Sequence, residues 1–99
     1  MTLDELKRAV FLAIPAGMTS EKQLVFSFEA LAASAEMQGI ELTSKRETFK
    51  ALRDLGFVDV KRGGERMLAV YLVTYAAIVI PVYKEVTEEW KAYNLQASK

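Results

Sequence analysis

Two consecutive glycines constrain this chain more than any other feature. Gly63-Gly64 lies between Phe57-Val58-Asp59-Val60-Lys61-Arg62 and Glu65-Arg66-Met67-Leu68-Ala69-Val70-Tyr71-Leu72. Such a pair supplies the positive φ that both central positions of a type I′ turn require, and that turn matches the twist of two antiparallel strands. The spacing therefore predicts a hairpin in which Arg62 faces Glu65, Lys61 faces Arg66, Val60 faces Met67 and Val58 faces Ala69. Lys61 opposite Arg66 is unfavourable by itself, because like charges directly across a ladder repel. An anionic partner would relieve it.

A helix with readable ends precedes the hairpin. Ser44-Lys45-Arg46-Glu47 has the form of a capping box, and Gly56 stands at the C-terminal cap position, so the helix runs from Ser44 to Leu55. Its inward residues are Phe49, Leu52 and Leu55, with Ala51 and Thr48 at the margins. At about 100° per residue, Arg46, Lys50 and Arg53 fall together on the opposite face as a basic stripe.

The remaining segments add helices. Thr2 and Glu5 form a capping box for a first helix whose apolar face is Leu3, Leu6, Val10 and Ile14 with Ala9 and Ala13, ended by Pro15 and Gly17. The segment from Ser20 to Phe26 reads two ways: a second helix capped by Ser20 and Gln23, or a short strand Gln23-Leu24-Val25-Phe26. An alanine-rich helix follows from Phe28 to Met37, stopped near Gly39. In the last quarter Val82, Val86, Trp90 and Tyr93 share one helical face. Either Thr74 caps a long helix kinked at Pro81, or Pro81 opens a shorter one. With 99 residues and no repeat or linker, the expectation is one domain, its core over about 2–73 and its C-terminal helix over about 75–95.

Helix, optional strand, helix, turn, helix, glycine-tipped hairpin and C-terminal helix: this order resembles the winged helix-turn-helix proteins. The run Ser44-Lys45-Arg46-Glu47-Thr48-Phe49-Lys50-Ala51-Leu52-Arg53-Asp54-Leu55-Gly56-Phe57-Val58 is similar to the segment that closes the recognition helix and starts the wing in MarR-like and PadR-like regulators. The resemblance spans roughly residues 27–72. It implies a mainly α fold with a small β-hairpin, a helix that enters the major groove of duplex DNA, and terminal helices that build a homodimer. Carried over by position, Ser44, Lys45, Arg46, Thr48 and Lys50 face DNA from the helix, and Arg62 and Arg66 flank the wing tip. Arg53 belongs to the exposed stripe and Lys61 to the wing. Val82, Val86, Trp90 and Tyr93 form the expected dimer interface.

Charge distribution agrees with that expectation. From Lys45 to Arg66 there are seven basic and four acidic residues, a local charge of +3, while the whole chain is neutral. A basic surface facing phosphates gains from counterion release, and side chains at a helix start reach base edges in the major groove. The ordinary alternative is a solvated face that needs no partner. A second functional reading is a winged-helix module that binds a protein partner and not DNA, supported by the aromatic C-terminal helix.

Other classes are disfavoured by inventory. The chain has no cysteine and no histidine, which removes disulfides, thiolate and imidazole metal sites, and Ser-His or Cys-His nucleophiles. Glu85, Glu88 and Glu89 cluster at helical spacing beside Lys84 and Lys91, a solvated arrangement and not a carboxylate pair in a cleft. We expect no enzyme activity and no cofactor. Met67 to Tyr83 runs 17 residues without a charge, but it sits at the short limit for a membrane span and contains Thr74 and Pro81. Acidic residues at Asp4 and Glu5 do not fit a signal peptide, so the expected location is cytoplasmic.

Overall fold

The structure, a computed structural model, describes residues 1–97. In chain order it contains α1 (Leu3–Leu12), β1 (Gly17–Met18), β2 (Gln23–Phe26), α2 (Phe28–Met37), α3 (Lys45–Asp54), β3 (Val58–Arg62), β4 (Glu65–Tyr71) and α4 (Leu72–Ala97). The strands form one antiparallel sheet in the order β1-β2-β4-β3, and with the helices they make a compact α/β domain.

Local chemistry explains most of the boundaries. The β3–β4 hairpin has the register expected from its glycines, with Lys61 opposite Arg66, and Gly63 and Gly64 have φ of 57° and 80°. At the start of α1, Thr2 Oγ1 accepts from the Glu5 amide, and Glu5 Oε1 accepts from the Thr2 amide at 2.8 Å. That second bond holds the Glu5 carboxyl below its usual pKa. At α3 only the forward half of the expected box is made, Ser44 Oγ accepting from the Glu47 amide at 3.2 Å.

Helices α2 and α3 end in the same way. Gly39 donates to Glu36 and Ile40 to Ala35, while Gly56 donates to Arg53 and Phe57 to Leu52, and both glycines have positive φ. This is the Schellman pattern, which satisfies the last carbonyls of a helix while turning the chain. Helix α1 has no such end. It stops at Leu12, and Ile14, expected on the apolar face, is 80% exposed. Pro15 accounts for this, since the residue before a proline is driven out of the helical region.

The segment from Ser20 to Phe26 resolves as a strand. The Gln23 amide donates to Thr19 Oγ1 in a turn that Lys22 closes at φ 63°, so the alternative Ser20 cap is not formed. Strand β2 then lies between β1 and β4, with Gln23, Val25 and Phe26 buried. The short strand β1 had no counterpart in the sequence reading.

Helix α4 takes the longer of its two forms. It begins at Leu72 directly after β4 and carries Pro81 inside it. Thr74 sits within its first turn and not at a cap. Arg8 meets Glu85 at 2.9 Å and Glu89 at 3.4 Å, while Phe11 meets Tyr83, so α1 and α4 run in opposite directions. Ser34 Oγ donates to the Ala9 carbonyl at 2.6 Å and ties α2 to α1.

One hydrophobic core joins these elements. Leu6, Val10, Leu31, Leu52, Leu68 and Val70 are 0 to 1% exposed. Phe26 packs edge-on to Phe57 and stacks on Tyr75 at 5.9 Å. Burial pushes the Tyr75 hydroxyl above its ordinary pKa. No helix among the described residues is long and apolar enough to cross a membrane.

Candidate nucleic-acid interface

Helix α3 presents its basic residues because its inward arc is narrow. Only Thr48, Phe49 and Leu52 are buried, and Lys45, Arg46, Lys50 and Arg53 are exposed. Thr48, expected to face DNA, is fully buried and its Oγ1 lies 3.4 Å from the Thr43 carbonyl oxygen. At about 100° per residue it falls between Leu52 and Leu55, inside the buried arc. This corrects its assignment. Ser44 is exposed, but its hydroxyl is already engaged as the N-cap.

A groove of about 400 Å3 opens between the start of α3 and the hairpin, lined by Lys45, Arg46, Phe49, Arg53 and Arg66. Phe49 forms its floor. The Arg66 guanidinium lies 4.6 Å from the Phe49 centroid, and Lys45 Nζ lies 5.7 Å from it and 5.2 Å from that of Phe28. Contacts of this kind contribute about 0.5–1 kcal/mol at exposed sites, enough to orient a long side chain. The rings of Phe28 and Phe49 meet edge-on at 5.6 Å, so the floor is itself fixed.

Asp59 changes the electrostatics of the hairpin. Its Oδ2 accepts from Arg53 Nη1 at 3.2 Å and from Arg66 Nη2 at 3.1 Å. Asp59 and Lys61 alternate onto the same face of β3, the face Arg66 shares from β4. The repulsion expected between Lys61 and Arg66 is thus relieved by a carboxylate of this chain. Among the described residues, Arg46, Lys50 and Lys61 form no ion pair.

Arg62 is not brought to the groove. It points to the other face of the hairpin, where a Cβ on Gly17 would lie 2.9 Å from Arg62 Nη1, so the guanidinium is folded back toward β1. The structure therefore gathers Lys45, Arg46, Arg53 and Arg66 around one groove, leaves Lys50 and Lys61 exposed outside it, and separates Arg62 from them. Sequence reasoning missed Phe28 and Asp59. Asp59 was legible in principle, because the hairpin register sets it two pairs from Lys61 and Arg66 and therefore on the same face.

The expected dimer residues divide. Val82 is 5% exposed and packs, like Ile78, into the domain's own core where α4 crosses α1, which corrects its assignment to an interface. Val86 is half-buried, and Trp90 and Tyr93 are 62% and 63% exposed, with rings stacked at 5.9 Å. Val86, Glu89, Trp90 and Tyr93 line a shallow groove on α4. A second apolar hollow, bordered by Leu12, Ile14, Ala33 and Met37, lies between the end of α1 and α2.

Among the described residues no group of three or more potential metal ligands converges. The arrangement at α3 and the hairpin is suited to holding anions: four cationic side chains, three of them arginines with planar donor forks, set around a rigid floor. No family model, no curated protein and no solved structure matches this chain.

Proposed function

We propose that this chain is a winged-helix domain that binds duplex DNA as a small dimeric transcriptional regulator, with α3 in the major groove and the β3–β4 hairpin as wing. The observation that carries the reading is the cationic groove between α3 and the hairpin, lined by Arg46 and flanked by Lys50 and Lys61, none of which forms an ion pair among the described residues. The topology supports it: a strand between the first two helices pairs with the returning strand of the hairpin. Such a surface releases counterions from DNA, so affinity falls linearly with the logarithm of salt.

The test is binding to mixed-sequence duplex fragments across a salt series. The expected result is salt-sensitive binding in which Arg46→Ala with Lys50→Ala reduces the slope by about two and the affinity by one to two orders of magnitude. Absence of binding at about 50 mM salt, where phosphate contacts act most strongly, overturns the reading.

The dimer is proposed through the outer part of α4. A helix of 26 residues is about 39 Å long, and beyond the buried Val82 it carries the apolar side chains of Val86, Trp90 and Tyr93 along a shallow groove. A two-fold pairing of these faces would present two α3 helices to successive half-sites. In sedimentation the protein should be dimeric at micromolar concentration, and Trp90→Ala should shift it to monomer; a wild-type monomer removes this account. The exposed apolar faces of α4 and of the Leu12, Ile14 and Met37 hollow favour the second reading, a module that binds another protein, if DNA binding fails.

A further inference from the structure

The groove beside α3 carries its own anion. One oxygen of Asp59 serves two guanidinium groups that reach it from different elements, Arg53 from α3 and Arg66 from β4, and neither contact is bidentate. The Arg53, Asp59 and Arg66 side chains are 42%, 39% and 51% exposed. Single-oxygen pairs at such exposure contribute little and yield to a stronger oxyanion, whereas phosphate offers the paired oxygens that match an arginine fork. Arg66 is also fixed over Phe49, so it stays at the groove when its carboxylate partner is displaced.

We infer that this groove is a binding site for one phosphate group, held by Arg46, Arg53 and Arg66, and that Asp59 is a built-in competitor that occupies two of these arginines until phosphate displaces it. The carboxylate keeps the arginines gathered and lowers the net charge of the empty groove, which weakens attachment to any polyanion. The phosphodiester of duplex DNA as its source rests on the function proposed above; the anion site does not.

Two probes separate these points: inorganic pyrophosphate, followed by calorimetry, and a mixed-sequence duplex. Asp59→Asn is expected to bind both about fivefold tighter than the wild type at low ionic strength, the gain shrinking as salt rises, because one negative charge within a few ångströms of the phosphate has been removed. Arg66→Gln should weaken pyrophosphate binding about tenfold, and pyrophosphate should compete with duplex. Thermal melts of both variants and of Asp59→Ser check that the fold is retained. Unchanged or weaker binding by Asp59→Asn and Asp59→Ser overturns the inference, since Asp59 would then position the arginines without competing. If pyrophosphate responds to Asp59 but the duplex does not bind, the anion site stands and the DNA reading falls. If the duplex binds with its salt dependence and neither probe responds to Asp59, the reverse holds.

Discussion

Leu52→Ala is expected to lower the free energy of unfolding by about 3 kcal/mol, a large part of the total for a domain of this size. Helix α3 is polar on most of its surface; Thr48, Phe49 and Leu52 are its buried residues, with Ala51 and the C-cap Leu55 half-buried against the core. Thr48 contributes only long hydrogen bonds of 3.4 Å, and Phe49 is shared with the groove floor, so Leu52, fully buried among Phe49, Phe57 and Leu68, is its principal anchor. The alanine leaves both the lost transfer energy and a cavity that the surrounding sheet and aromatic rings cannot close. In thermal unfolding the midpoint should fall by roughly 15 °C. Lys50→Ala on the opposite face should stay within about 0.5 kcal/mol of the wild type. A Leu52→Ala cost under about 1 kcal/mol would mean that α3 is held by its caps and not by the core.

The same residues show why α3 and the hairpin were readable in advance and other parts were not. Helix caps and tight turns act over three or four residues, so Thr2, Ser44, Gly56 and Gly63-Gly64 announce their structures from adjacent sequence. The choice at Ser20 to Phe26 depends on a partner strand more than forty residues away: Val25 pairs with Ala69 and Phe26 with Leu68, and no local signal states this. Thr48 and Val82 were placed on the wrong faces for a related reason. Val82 lies at the edge of its amphipathic arc and Thr48, a polar residue, inside that of α3, and whether such positions are buried is set by the packing of neighbouring helices and strands. The stripe Arg46, Lys50 and Arg53 was legible from periodicity, but that Arg53 turns to Asp59, and that Lys45 folds over Phe28 and Phe49, requires the angle between α3, α2 and the hairpin.

That angle is fixed at Gly56, and Gly56→Ala is expected to cost about 3 kcal/mol. Its φ is +111°, outside the small left-handed region that other residues can enter, and a Cβ there would lie 2.8 Å from Cγ2 of Thr74 in the first turn of α4. Backbone strain contributes about 1–2 kcal/mol and the clash a similar amount. Gly39 provides the internal comparison, because it closes α2 with the same hydrogen-bond pattern at φ +71° with nothing within 4 Å of the added carbon. Gly39→Ala should therefore cost only about 1 kcal/mol. Adding Thr74→Ala to Gly56→Ala removes the methyl that clashes, and a double-mutant cycle in urea should show a favourable coupling of about 1–2 kcal/mol, with the backbone part remaining. Equal costs at Gly56 and Gly39, or no coupling with Thr74, would show that α4 does not press on this turn. If the coupling is present, the end of α3, the start of the hairpin and the base of α4 act as one joint: a shift of the long tail helix then moves the basic groove with it, and pairing through Trp90 and Tyr93 bears directly on how α3 meets its ligand.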